Sequence, residues 1–393
     1  NHTRTLIISL KQCLMSLQLK EIPAVRALTG LKYIFGHGIG KLLFAILLSI
    51  LGVAAYMGFR EYKADHLYET DFLDVDWFRV WPNKNQCHLS RLPDLWAADW
   101  PTYPAANFVN GQAEPFQYAD ELLRPFAPPM TKGQTRLTRR LLQMFSDLMF
   151  SNGFGDRFFI MSGTLMGSFH HHDFIPWDDD IDLLIDVSVR EKVRELLKTM
   201  EPEYMVGTLG VRDKLFAHIV HPPDSNEDIE MSRPIKNYKH GWPFIDLSYF
   251  TKNATHVNEI LSRSRNVTFK LELVYPLYFR PFGQAWYPAP RDTLNFLRQK
   301  YGTAPTCRTL SYLHGKEKSI RYTSIPCKKL SNIYPFVEHK PCSKHSVINA
   351  DGMILGEEKL TYLAEDKRKK EVHAFCTAVA DGSAEASPYE LKK

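Results

Sequence analysis

The stretch Gly163–Asp186, GTLMGSFHHHDFIPWDDDIDLLID, decides how the rest of the chain is read. Just before it, Phe158 to Met161 is a short apolar run that gives way to Ser162-Gly163-Thr164, the pattern of a strand stopping at a helix N-terminus. A helix start presents unpaired backbone N–H groups, and with the Thr164 hydroxyl these suit a phosphate. At the other end Asp180-Ile181-Asp182 alternates and then runs into Leu183-Leu184-Ile185, as a largely buried strand does. Side chains repeat every second residue along a strand, so Asp180 and Asp182 project from one face. Two carboxylates so placed repel each other unless a cation sits between them, and a hard divalent ion, Mg2+ or Mn2+, satisfies both. A phosphate cradle beside a metal clamp is the equipment of phosphoryl or nucleotidyl transfer.

An acidic triplet is more often a solvated turn. Here Pro176-Trp177 and Leu183-Leu184-Ile185 flank it, and a loop gains nothing from such neighbours. Asp178 and Asp179 read as start-of-strand or supporting residues. His170-His171-His172 are consecutive and point in different directions, which argues against zinc and for surface or substrate-facing positions.

The segment resembles the signature of the LicD family, which includes the fukutin and fukutin-related proteins. Gly163, Thr164, Leu165, Gly167, His171, Phe174 to Trp177 and Asp178 to Asp182 carry the match. His170 stands where the family commonly has Arg, and Asp173 where it commonly has Gly, so a fixed cation has become a titratable one. Pro288-Ala289-Pro290, a helix over Asp292 to Tyr301 and its stop at Gly302 extend the likeness to roughly residues 134–303. The resemblance implies an α/β fold, a mixed sheet with flanking helices of nucleotidyltransferase type. It also implies a CDP-activated donor such as CDP-choline or CDP-ribitol, a glycan or glycoprotein acceptor, and CMP as product. Gly163, Thr164, Gly167 and His171 would lie at the donor phosphate. In that fold a third aspartate on a neighbouring strand completes the metal cluster. The run Trp242 to Phe250 holds one carboxylate, Asp246, in an otherwise apolar strand, where an unpaired charge is costly. Asp246 is therefore the third ligand or base, with a structural salt bridge as the alternative.

Around this centre, an amphipathic helix is predicted over Thr135 to Phe150. Ser188 and Glu191 form a capping box for a helix from Val189 to Met200. Strands are predicted near Tyr204 to Leu209, Leu215 to Val220 and Thr268 to Val274, with Lys214 and His218 candidates to face the site. Arg280 is a donor-phosphate contact or an ordinary surface residue. Beyond Tyr301 a helix is predicted from Gly356 to Ala374, and the last dozen residues, rich in Ser, Ala and Gly, read as disordered.

Leu42 to Phe59 is uncharged throughout, between Lys41 and Arg60, just long enough to span a membrane. Cations dominate before it and carboxylates after it, which places the N-terminus in the cytosol and the remainder in a lumen. The expected organisation is a cytosolic tail (1–41), a signal anchor (42–59), a stem or packing arm (60–133), a catalytic domain (134–303) and a C-terminal extension (304–393). A single-pass type II protein of the Golgi or ER membrane follows, the short span favouring thin membranes. Sequons at Asn253 and Asn266 agree with a luminal domain, where the five cysteines after the span can form disulfides, the odd count leaving one thiol free or paired with another chain. The net charge of +5 is too mild to imply nucleic acid, and 44% apolar content supports a sizeable core. Two further classes share the same equipment: transfer of a nucleoside monophosphate from an NTP, and a catalytically inactive glycan-binding or chaperone-like protein.

Overall fold

A computed structural model describes residues 73–83, 89–110, 112–221, 227–261, 267–342, 347–364 and 366–392. The apolar stretch 42–59, the tail before it, Cys87 and the sequon asparagine Asn266 lie outside the described residues. Among the described residues no helix is long and apolar enough to cross a membrane.

Helix α1 (Lys132–Ser151) forms because Leu137, Leu141, Phe145 and Met149 recur along one face, and all four are fully buried. Each such burial contributes roughly 1.5–3 kcal/mol. The helix starts at Lys132 rather than Thr135 because Thr131 and Gln134 make a reciprocal capping box, a polar signal that apolar periodicity does not carry. Strand β1 (Phe158–Ile160) follows, then α2 (Ser162–His171) and β2 (Ile181–Asp186), with β2 antiparallel to β1. Asp186, not Ser188, caps the next turn: its Oδ1 accepts from the Ser188 N–H at 3.0 Å and from the Ser188 hydroxyl at 2.7 Å. Helix α3 (Arg190–Lys198) consequently starts and ends inside the predicted limits, and the Ser188–Glu191 capping box does not form.

The hairpin of β3 (Tyr204–Leu209) and β4 (Arg212–Ala217) leads to the longest strand of the main sheet, β5 (Phe244–Lys252), then β6 (His256–Ile260) and β7 (Thr268–Lys270). The stretch read as a strand to Val274 turns helical at Leu271. Seven strands make one mixed sheet: five run in the order β7-β6-β5-β2-β1, and off that path β3 pairs with β4, which pairs with β5. Along one edge β5 pairs in parallel with β2, and its other edge is shared between β4 and β6. The parallel register sets Asp182 directly opposite Asp246. A second hairpin, β8 (Tyr278–Phe282) with β9 (Ala285–Ala289), precedes α4 (Thr293–Tyr301). Helix α4 is capped by Asp292 and stops at Gly302, whose φ of 75° favours glycine.

The C-terminal region departs most from expectation. In place of a helix over Gly356 to Ala374, β10 (Phe336–Pro341), β11 (Met353–Leu363) and β12 (Lys369–Ala380) form an antiparallel sheet. The Glu-, Lys- and Leu-rich composition favours a helix locally, but cross-strand pairing and burial of His373 to Val379 outweigh that propensity. Disulfides Cys307–Cys327 and Cys342–Cys376 staple this region. The last residues pack instead of dangling: Ala384, Ala386 and Leu391 are buried, and the Leu391 carbonyl accepts from Arg298 Nε at 2.6 Å. The main core joins Val75, Phe78 and Leu92 of the preceding arm to the seven-stranded sheet and to Met353 and Leu355 of β11.

Candidate functional site

The site is built where β1 ends and β2 begins. Met161 donates its N–H to the Asp182 carbonyl at 3.1 Å, and the Thr164 hydroxyl accepts from the Asp182 N–H at 2.8 Å. Thr164 thus holds the backbone that carries the second acidic residue. Gly163 and Gly167 allow the loop 173–178 to press against α2. A Cβ on Gly163 would lie 2.3 Å from Asp178 Oδ2, and one on Gly167 would lie 2.3 Å from the Asp173 carbonyl.

Asp180, Asp182 and Asp246 are brought together. One carboxylate oxygen from each lies within 4.8 Å of the others, with Asp180 and Asp246 buried and Asp182 partly exposed. Burial pushes the Asp180 carboxyl well above the usual carboxylate range; His314 opposes this, while the charges of Asp182, Asp178 and Asp179 add to it. Asp182 is raised by burial and by Asp246. Burial and the Asp179 charge lift Asp178 to about 7. Such mutual repulsion is relieved by a cation.

Part of that counter-charge comes from the protein. Lys214 Nζ lies 2.8 Å from Asp246 Oδ1, and Arg212 Nη1 lies 3.4 Å from Oδ2. Asp246 is therefore at once a member of the acidic cluster and a salt-bridge partner. His314 donates from Nδ1 to Asp179 Oδ1 at 2.6 Å and from its backbone N–H to Asp179 Oδ2 at 3.0 Å. Its Nε2 sits 3.1 Å from Asp180 Oδ2 without hydrogen-bond alignment, so that buried oxygen makes no hydrogen bond. Burial disfavours the imidazolium, but Asp180 and the hydrogen bond to Asp179 outweigh it and raise His314 to about 11. Glu317 accepts from His240 at 2.9 Å and from the Tyr312 hydroxyl at 2.7 Å, and it lies 3.1 Å from Lys214 Nζ. His314 and Glu317 both lie in the loop closed by Cys307–Cys327.

The residues fit a divalent ion. The donors are carboxylate oxygens, they converge from adjacent strands, and Asp180 Oδ2 is buried with no hydrogen bond. Asp179, Asp180 and His314 form a second convergent group that shares Asp180.

Other predicted residues lie elsewhere. All three histidines of the 170–172 run are buried rather than at the surface. His171 donates from Nδ1 to the Pro335 carbonyl at 2.8 Å and is lowered to about 4 by burial, so it is not brought to the carboxylates. His172 lies between Glu358 Oε2 at 2.9 Å and His373 Nε2 at 3.0 Å. Arg280 is neither a surface residue nor free for a phosphate: it is buried, and its two Nη atoms bond Glu358 at 2.8 and 2.9 Å. Asn253 is exposed at the β5–β6 turn, where its Oδ1 accepts from the N–H of Thr255 and of His256. His314 and Glu317 were missed because no local pattern marks them. Their signal, a segment His314-Gly-Lys-Glu317 between Cys307 and Cys327, is visible only once the disulfide is known.

Residues 155–292 match the family model described as LicD/FKTN/FKRP, nucleotidyltransferase domain. Over 154 residues the chain is 26% identical to ribitol 5-phosphate transferase FKRP of Mus musculus, and equally so to that of Homo sapiens. The aligned part covers 38% of this chain and 28% of each relative, so the chain spans under a third of their length. Asp180, Asp182, Asp246 and the glycines of α2 fall inside the matched stretch, whereas His314 and Glu317 fall outside it. Residues 155–292, which hold the three aspartates, are thus similar to the nucleotidyltransferase domain of the LicD family.

Proposed function

We propose that this protein is a glycan-modifying phosphotransferase that moves a phospho-alcohol group, phosphocholine or an alditol phosphate, from a CDP-activated donor to a glycan hydroxyl. The observation that carries this reading is the convergence of Asp180, Asp182 and Asp246 across a parallel strand pair inside a LicD domain. Asp180 and Asp182 would hold Mg2+ or Mn2+, with Asp246 as third ligand or as base. The ion would supply charge neutralisation at the donor's diphosphate. Asp246, acting as base, takes the proton of the acceptor hydroxyl. The hydroxyl oxygen bonds to the phosphorus that carries the alcohol, the bridge to the other phosphorus breaks, and CMP leaves with the bridging oxygen. Gly163 and Thr164 at the start of α2 would orient the donor phosphate, with Gly167 and His171 behind them.

In this reading residues 134–303 are the catalytic domain, 60–133 the arm packed on it and 304–393 an extension. The extension contributes His314 to the site. A luminal position in the Golgi or ER, anchored through 42–59, suits two disulfides, which persist in oxidising compartments.

A donor labelled separately in its cytidine and its distal phosphate tests the reaction. The distal phosphate should reach the glycan and the cytidine should not. Cytidine on the acceptor would point instead to nucleotidyl transfer. A second reading, a non-catalytic glycan-binding member, draws on Lys214 and His314 already pairing with the acidic cluster. An Asp182→Ala chain that retains full biological activity would select it.

A further inference from the structure

A cavity of about 360 Å³ opens between the arm, at 101–105 and 128–130, and the first turns of α1. That volume is at the small end of ligand sites, with room for a saccharide of about one or two rings. Lys132, Arg136 and Arg139 line it from positions i, i+4 and i+7 of the helix, which share a face. Arg139 is paired with Asp173, and Arg136 with Glu230 at 2.5 Å. Lys132 has no ion-pair partner among the described residues.

The wall also carries unmet hydrogen-bonding capacity. Tyr103 Oη, Arg139 Nε and Asp173 Oδ1 belong to residues that line the cavity, and all three atoms are buried without a hydrogen-bond partner. Leaving three such groups unpaired in one place is unfavourable, and a polar ligand relieves it. The cavity also borders the acidic site, because Asp178 belongs both to its wall and to the run that continues into Asp180 and Asp182.

We propose that this cavity is the acceptor subsite and holds a saccharide bearing a phosphate or carboxylate, with the anion against Lys132 and Arg136. The assignment rests on the transferase reading above. Much of the wall, from Pro101 to Arg139, precedes the matched stretch 155–292 that carries the three aspartates. The shared domain thus supplies the transfer chemistry, and the arm with α1 supplies recognition of the partner. Cations favour an anionic sugar, while Tyr103 and the neighbouring prolines offer the flat apolar surface that sugar rings pack against.

Isothermal titration of the full chain tests this with N-acetylglucosamine 6-phosphate, glucuronic acid, neutral N-acetylglucosamine and inorganic phosphate, alongside CMP with Mn2+. The phosphorylated or the carboxylated sugar should bind at least tenfold more tightly than the neutral one, and the stronger of the two identifies the anion. Lys132→Ala with Arg136→Gln should lower that affinity at least tenfold and leave CMP binding within twofold. Tyr103→Phe, which keeps the ring, should lower it several-fold with unchanged thermal stability. Sugar binding unaltered in these variants, inorganic phosphate binding as tightly as the sugar phosphate, or CMP displacing the sugar would each overturn the assignment. Loss of Mn2+-dependent CMP binding alone, with the sugar still bound, would contradict the transferase reading and with it the acceptor role. Loss of sugar selectivity with CMP binding intact would remove the subsite only.

Discussion

Replacing Arg280 by Met should strike the joint between the stretch matched to the LicD model and the C-terminal sheet. Arg280 on β8 and Glu358 on β11 are both buried, and they meet through two hydrogen bonds of 2.8 and 2.9 Å. Glu358 also accepts from His172 at 2.9 Å, and the Arg280 guanidinium lies over the Phe169 ring at 5.4 Å. Burial opposes ionisation of Glu358, but Arg280, His172 and His339 outweigh it and hold the carboxyl well below its usual range. Methionine keeps most of the length and apolar contact of Arg280 and removes its charge. Glu358 is then left ionised without its main partner, at a cost of about 3–5 kcal/mol. In a domain of this size each kcal/mol moves the midpoint by about 2–4 °C, so thermal unfolding should shift down by roughly 6–20 °C. A paired Arg280→Met, Glu358→Leu chain should recover part of the loss, which a double-mutant cycle reads as coupling. An Arg280→Met midpoint within a degree of the parent would refute the view that this ion pair clamps the sheet to the domain.

Asp213 gives a pH prediction. Burial raises its carboxyl, but hydrogen bonds from Arg194, Arg190, Tyr249 and Thr208 outweigh burial and hold it at about 2. Its folded value is depressed, so its stabilisation of roughly 2 kcal/mol is present above the unfolded value near pH 4 and is lost as pH falls through 2. Denaturant unfolding at stepped pH should show that loss in the parent and not in Asp213→Asn. Cys307→Ser with Cys327→Ser opens the loop that carries His314, and closing a loop of that length stabilises by about 3 kcal/mol. Transfer activity should fall and hydrogen exchange across 307–327 should rise, whereas unchanged exchange would count against a clamp. Gly167→Ala puts a methyl 2.3 Å from the Asp173 carbonyl. Overpacking of this kind costs about 1–3 kcal/mol. The melting midpoint should drop accordingly, and a neutral result would show that the loop yields freely.

What could be read from the sequence was what short-range pattern encodes. The turn from β1 into α2 and the acidic start of β2 follow from an apolar run, a helix start and a two-residue alternation. Asp246 was legible because a lone charge in an apolar strand demands a partner, and parallel pairing sets it opposite Asp182. The parts that escaped depend on residues far apart in the chain. Glu358 lies in a segment of strong helix formers, and only its pairing with Arg280 and His172 reveals a buried strand. The histidines at the end of α2 and just beyond it carry polar side chains, yet His171 and His172 find partners in the C-terminal region that let them stay buried. His314 reaches Asp179 across 135 residues, and no local composition announces that contact.

The central claim is that Asp180, Asp182 and Asp246 together hold a divalent cation. Equilibrium titration of the metal-free chain with Mn2+, followed by electron paramagnetic resonance, measures this without requiring donor or acceptor. The account predicts that the parent binds Mn2+, that Asp182→Asn and Asp246→Asn each weaken binding at least tenfold, and that Asp213→Asn leaves it unchanged. Equal binding by all four chains, or none by the parent at millimolar Mn2+, would contradict it.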